Sequence, residues 1–151
     1  MDIQSAVTQR AGIGRYTRQM AEYFPIIAPD IDFRFVYFDF KGKADIRGIN
    51  QSLCKPIKCT PGSLISALWK NFNFPPFDIL AGGADVFHFP NFTIPPIRKG
   101  AAVVNIHDIS FIKYPQFAEE KNLMFLSTAI PRTIARANAI ITGSKFTANE
   151  I

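Results

Sequence analysis

Only two histidines occur in the chain, and each stands near a group that could work with it. His107 is followed directly by Asp108, and His88 lies three residues before Asn91. A histidine can take or give a proton near neutral pH, and a neighbouring carboxylate can hold its tautomer or contact a ligand hydroxyl. Adjacent residues rarely bond to each other directly, so His107 and Asp108 need not form a dyad. A third group is Gly12-Ile13-Gly14-Arg15-Tyr16-Thr17. Two glycines at a helix start let the backbone approach an anion, and the free N–H groups and helix dipole favour phosphate.

Each group also has a blander reading. His107 can be a histidine satisfied by backbone at a strand end, and His88 a half-buried polar residue among aromatics. The glycines can be a tight turn opening a helix. A full dinucleotide fingerprint needs glycine where Thr17 stands, and a hydrophobic strand where Thr8-Gln9-Arg10 intervenes. Asp39 could stand in for the ribose-binding acid, so the fit is partial. Cys54 and Cys59, spaced C-x4-C with no nearby histidine, make a poor zinc site and read as small core or strand-edge thiols in a reducing compartment. No metal pattern, Walker loop or nucleophile elbow is present, and Trp69 reads as core.

The elements that must position these residues alternate. Apolar or β-rich runs predict strands over Phe33–Phe38, Lys55–Cys59, Val86–Phe89, Ala102–Ile106 and Ala139–Thr142. Helices are expected over Gly14–Phe24, closed by Pro25, over Ser63–Asn71 with Leu64, Leu68 and Trp69 on one face, and over Glu119–Ala137. The last has Leu123, Leu126, Ile130 and Ile134 at helical spacing. Glu119 and Glu120 near its start and Arg132 and Arg136 near its end suit the helix dipole. Pro131 inside it predicts a kink or a break. Residues 39–53 and 72–83 read as irregular. This alternation predicts a Rossmann-like α/β fold, a parallel sheet with helices on both faces, in a single domain of residues 1–151. In an open sheet of this kind ligands bind beyond the carboxyl ends of the strands, where His107 and Asp108 fall.

Both ends look unfinished. Residues 1–7 are at best the remnant of a first strand, and Ser144 is a plausible N-cap of a helix running on to the last residue. The expected chain is therefore a fragment, its first strand largely truncated.

Composition limits the partners. Hydrophobic residues make up 48% and charged residues 19%, which argues against disorder. No apolar run approaches a membrane span, and no signal peptide is legible, so a cytoplasmic protein is expected. The net charge is +5 with 15 phenylalanines, a mixture compatible with nucleic acid, an anionic membrane surface or phosphorylated ligands. The cations are scattered without a run of five or six, so nucleic acid is not favoured.

Four segments together resemble the N-terminal half of a GT-B glycosyltransferase of the retaining group called family 4. They are Ala11 to Thr17, Asp85 to Phe92, Val104 through Tyr114-Pro115, and Arg136 to Thr147, in the family's order and nearly end to end. The resemblance implies an acceptor-side domain paired across a cleft with a donor-binding domain that this chain lacks. It implies transfer of a hexose, mannose-like first, from a nucleotide-sugar such as GDP-mannose or a UDP-sugar to a saccharide or lipid-linked acceptor. The anomeric configuration would be retained, without metal or further cofactor. Gly12, Gly14 and Arg15 would approach the donor. His107 and Asp108 would be the catalytic residues, His107 beside the reacting sugar and the acceptor hydroxyl. His88, Asn91 and Ser144 would line the acceptor side. The fragment alone is expected to be inactive. Peripheral contact at the inner face of a membrane and self-association through the surface left by the missing domain are open. A non-catalytic sugar- or nucleotide-binding module of the same fold is the alternative.

Overall fold

The computed structural model describes residues 1–10, 12–117 and 120–151, which form a mixed α/β protein. Its strands make two small parallel sheets, one of two strands and one of three. The chain divides into two compact units, residues 1–85 with 95–100 and residues 86–94 with 101–151.

In the first unit, residues 1–3 run beside β1 (Phe35–Phe38) through one parallel bridge at Asp2 and Val36. Asp2 Oδ1 then accepts the Gln4 N–H at 2.8 Å and turns the chain into helix α1 (Gln4–Thr8). The strand remnant expected over residues 1–7 is thus confined to the first three. Helix α2 (Ile13–Ile27) outruns its expected end, because Pro25 forfeits only the N–H that would reach Ala21. The Ala28 N–H still reaches the Phe24 carbonyl at 2.9 Å and closes the last turn. Gly14, Thr17 and Ala21 form the buried face of α2. Ile3, Ala6, Ala21, Phe35, Tyr37 and Ile49 make a core cluster.

β2 (Cys54–Ile57) pairs with β1 from Phe35↔Cys54 to Phe38↔Ile57. The connection between them holds only a 3-10 turn at Gln51–Leu53. In α3 (Gly62–Phe72) the buried residue is Ile65, whereas Leu64 of the expected stripe is 53% exposed. Trp69, expected in the core, is half-buried; it packs edge-on to Phe38 and Phe77 and donates from Nε1 to the Pro75 carbonyl at 2.6 Å. The stretch 72–83, expected to be irregular, contains α4 (Phe77–Ala81). Five residues are too few to show a helical period in sequence.

In the second unit β3 (Val86–Phe89), β4 (Ala101–Ile106) and β5 (Ala139–Thr142) lie side by side in that order. The bounds of β3 and β5 are those expected from sequence. Alternation buries Phe87, Phe89, Ala102, Val104 and Ile106 on one sheet face and turns His88, Val103 and Asn105 to the other. Residues 90–100 join β3 to β4 without a helix. From β4 to β5 the chain passes through α5 (Ser110–Lys113), a 3-10 turn at Pro115–Phe117 and α6 (Glu120–Arg136). Glu119, the expected start of α6, lies outside the described residues. Pro131 does not break the helix, which runs on to Arg136. Its last turns are fastened by Thr133 Oγ1, which accepts the Ile94 N–H at 3.2 Å, and by Arg136, which donates to the Ile94 carbonyl at 3.1 Å. Helix α7 (Lys145–Glu150) follows β5.

Candidate functional site

Because β3, β4 and β5 are parallel, their carboxyl ends share one edge of the sheet. Pro90–Phe92, His107–Asp108 and Gly143–Ser144 follow directly from that edge. The register pairs Phe89 with Val104 and Ile106 with Thr142, so β4 runs two residues beyond the end of β3. His107 therefore stands past β3, where the chain leaving that strand bends over it. His107 Nε2 lies 2.9 Å from the Pro90 carbonyl oxygen. A carbonyl only accepts, so Nε2 donates, and a neutral ring then carries its basic lone pair on Nδ1.

The same loop is held a second time. The Phe92 N–H donates to the Asn105 carbonyl at 3.0 Å. Phe92 has φ +52°, a left-handed backbone that costs a side-chain-bearing residue about 1–2 kcal/mol. Its ring meets the His107 ring edge to face, centroids 5.4 Å apart at 68°. Behind it stands Phe111, at 6.5 Å and 77°.

His88 and Asn105 face each other on the polar side of the sheet, with His88 Nε2 donating to Asn105 Oδ1 at 2.6 Å. Asn105 is buried and His88 half-buried. Burial pushes the His88 pKa below its ordinary 6.5, and the bond to Asn105 opposes this only in part. At neutral pH the ring is uncharged and acts as a donor to an amide.

Asp108 is exposed and lies two residues before α5. Its Oδ1 accepts both the Ser110 N–H at 3.0 Å and the Ser110 hydroxyl at 2.7 Å. Asp108 and His107 are thus each held by a different backbone segment. Ser144 caps α7, as its position predicted: Oγ accepts the Thr147 N–H at 3.1 Å and pairs with the Thr147 hydroxyl at 3.0 Å. Asn91 is half-buried between Pro90 and Phe92, and its carbonyl accepts from Thr93. Helices α5 and α7 are tied beside the edge by a 2.7 Å ion pair between Lys113 and Glu150, with the Lys113 ammonium 5.2 Å from the Phe146 ring centroid.

The glycine turn belongs to the first unit and joins helix α1 to helix α2, not a strand to a helix. Gly12 is exposed, with φ +52° and open space where a Cβ would stand. Gly14 is buried, and a Cβ there would collide with the Gln9 carbonyl. Its missing side chain lets α1 and α2 approach. Thr17, in the place of a third glycine, is buried and bonds to Ser5 at 2.8 Å across the same contact. Arg15 is exposed. Arg18 donates to the carbonyls of Ala6 and Asp45, each at 2.8 Å, and to that of Arg47 at 2.5 Å. Asp39 accepts the N–H groups of Lys43 at 2.8 Å and Ala44 at 3.3 Å and so shapes the turn after β1. Ala11, the first residue of the resembling segment, lies outside the described residues.

Comparison with protein-family models, curated proteins and solved structures finds no match.

The site thus brings His88, Asn91, His107, Asp108 and Ser144 to one unit, whereas Gly12, Gly14 and Arg15 belong to the other. Two contributors escaped the sequence reading. Asn105 left a signal, a lone amide inside the apolar run Val103-Val104-Asn105-Ile106. Such a residue is expected to serve a neighbour, since a buried amide must be bonded. Phe92 left none, because one phenylalanine among 15 does not announce a left-handed backbone. Among the described residues no group of three His, Cys, Asp or Glu side chains could hold a metal ion. Both cysteines are free thiols, with Cys54 half-buried and Cys59 exposed.

Proposed function

We propose that this chain is the acceptor-side domain of a retaining GT-B glycosyltransferase of family 4. In this reading the enzyme moves a hexose, mannose-like first, from a nucleotide-sugar to a saccharide or lipid-linked acceptor. The donor is held by a second domain to which these 151 residues do not contribute. The observation that carries the reading is the shared carboxyl edge, where Asn91, His107, Asp108 and Ser144 follow three adjacent parallel strands. The order of the four resembling segments supports it as well.

The chemistry follows from the groups at that edge. Sugar transfer needs an acceptor hydroxyl to lose a proton as the glycosidic bond forms and a nucleoside diphosphate to leave. His107, with Nε2 held by the Pro90 carbonyl, is the proton-handling residue near the acceptor. Asp108 adds an exposed carboxylate able to accept from sugar hydroxyls. His88, Asn91 and Ser144 line the acceptor side; of the glycine turn, Gly12 and Arg15 are exposed to meet a donor, whereas Gly14 is taken up by the contact of α1 with α2. No metal or cofactor enters this reading. Peripheral contact with the inner face of a membrane would bring a lipid-linked acceptor. No described helix is long and apolar enough to cross one.

The test begins with amide chemical shifts of the chain titrated with mannose-containing oligosaccharides. Shifts clustered at residues 88–92, 105–110 and 142–147 are expected. Their absence across a broad saccharide panel would overturn the acceptor assignment. Transfer is then measured with the donor-binding domain supplied. His107→Ala should lose it while keeping the saccharide-induced shifts.

A non-catalytic binding module is the second reading. It is favoured by one observation, that Asp108 and Ser144 already bond to the N–H groups of their own turn and helix. Saccharide binding with no transfer, in wild type and His107→Ala alike, would select it.

A further inference from the structure

We propose that Arg34 and Lys55 form a binding site for a phosphate dianion, free or as the end group of a phosphate monoester, at the amino end of the two-stranded sheet. The site lies within the first unit and does not rest on the glycosyltransferase reading. β1 and β2 start side by side, since Phe35 pairs with Cys54 and Val36 with Lys55. Arg34 directly precedes β1, so alternation sends its side chain to the same face as those of Val36 and Lys55. Both cations converge on the Gly82-Gly83 turn that ends α4. A carbon placed on Gly82 as a Cβ would lie 2.8 Å from Lys55 Nζ and 3.0 Å from Arg34 Nη1. The two nitrogens are therefore within about 6 Å of each other, close enough for like charges to repel.

Lys55 has a local reason to stand there. Its Nζ donates to the Ala81 carbonyl at 2.9 Å and so meets the negative end of α4. Arg34 has none, because its guanidinium makes no hydrogen bond or ion pair among the described residues. Asp32 and Asp85, the acids nearest in the chain to Arg34 and to the turn, are exposed and pair with neither cation. Two cations this close, without a carboxylate, favour one anion shared between them. A phosphate group carries about two negative charges at neutral pH, one for each cation, whereas a carboxylate brings one. The planar fork of Arg34 matches two phosphate oxygens. Lys55, steadied by Ala81, has two N–H bonds left to give to a third. Gly83 has open space where a Cβ would stand, so no side chain of the turn closes the approach.

Amide spectra of the chain titrated with inorganic phosphate test the site, with ionic strength held constant by sodium chloride. Saturating shifts are expected at residues 34, 55 and 82–84. Arg34→Gln should weaken the affinity about threefold, the scale of one exposed charged partner, and Arg34→Lys should restore part of it. Lys55→Gln should weaken it as well. Arg34 is exposed, so its variants keep the fold, and the same spectra report this for all three. Methyl phosphate separates the sources: affinity at least equal to that of phosphate assigns the site to a monoester, and lower affinity assigns it to the free ion. Three results overturn the proposal. They are the absence of saturating shifts at these residues, the same shifts produced by sodium chloride alone, and an unchanged affinity in folded Arg34→Gln. No saccharide enters the titration, so this outcome and that of the acceptor assignment are independent.

Discussion

His88 donates from Nε2 to Asn105 Oδ1 at 2.6 Å, and Asn105 is 3% exposed. The contact crosses from β3 to β4 on the sheet face that also bears Val103. Asn105 works twice, since its backbone carbonyl holds the Phe92 N–H at 3.0 Å. One buried amide residue therefore links the side chain of one strand to the loop that leaves it.

Removing the amide should destabilise the chain. Asn105→Leu leaves the His88 N–H without its acceptor in a half-buried place, which costs about 1–3 kcal/mol. The double variant His88→Leu with Asn105→Leu should recover part of that loss, because neither polar group is then stranded. Urea midpoints measure both. A single variant as stable as wild type would refute the link.

Two groups should make stability depend on pH in opposite senses. Burial lowers the His88 pKa below its ordinary 6.5, so the unfolded chain binds the proton more readily. Its contribution is whole above 6.5 and is lost as pH falls. Asp2 is the reverse, since burial raises its pKa from 3.8 to about 6. Its contribution is whole below 3.8 and is lost as pH rises through about 6. Asp2→Asn should therefore stabilise at neutral pH, with a gain that vanishes below about pH 4. His88→Gln should weaken the loss of stability on acidification below neutral. Thermal midpoints across this range would expose either sign as wrong.

Gly14→Ala should cost about 1–3 kcal/mol, as overpacking does. The added carbon meets the Gln9 carbonyl, and backbone cannot step aside as a flexible side chain can. Denaturant unfolding tests this without any ligand. An unchanged midpoint would mean that α1 and α2 are not held as close as described.

Ser144→Ala should lose about 1 kcal/mol as a cap is removed. Ser144→Asp, which also caps, should keep that stability. If the hydroxyl in addition meets a saccharide, the aspartate variant will fold as wild type but lose saccharide-induced shifts. Equal shifts in the two would confine Ser144 to capping.

Much of the second unit was legible in the chain. Val86–Phe89 and Ala139–Thr142 read as strands because short β-rich runs were bounded by polar or turn residues, and they proved to have those bounds. Ser144 read as a helix cap because its hydroxyl has one local use, and it caps. The prolines misled, since Pro25 and Pro131 each remove one N–H, a loss a helix held elsewhere can bear. The glycine turn also misled in part, because Gly-x-Gly looks the same whether glycine admits a ligand or a neighbouring helix.

Apart from the short helices α1, α4 and α5, the sequence by itself determined which segments become strands and helices and which strands lead into histidine, aspartate or serine. Those properties depend on residues near one another in the chain, through period, capping and backbone preference. Only the tertiary structure decided that His107 bonds to Pro90, that Asn105 serves both His88 and Phe92, and that Gly14 faces Gln9. Most of these partners are 13 to 17 positions apart, brought together by the parallel register of β3 and β4, which no local pattern specifies. Gly14 and Gln9 are close in sequence, but their contact depends on how α1 packs against α2. A parallel register is set by which side chains bury well together, and that is a property of the folded core.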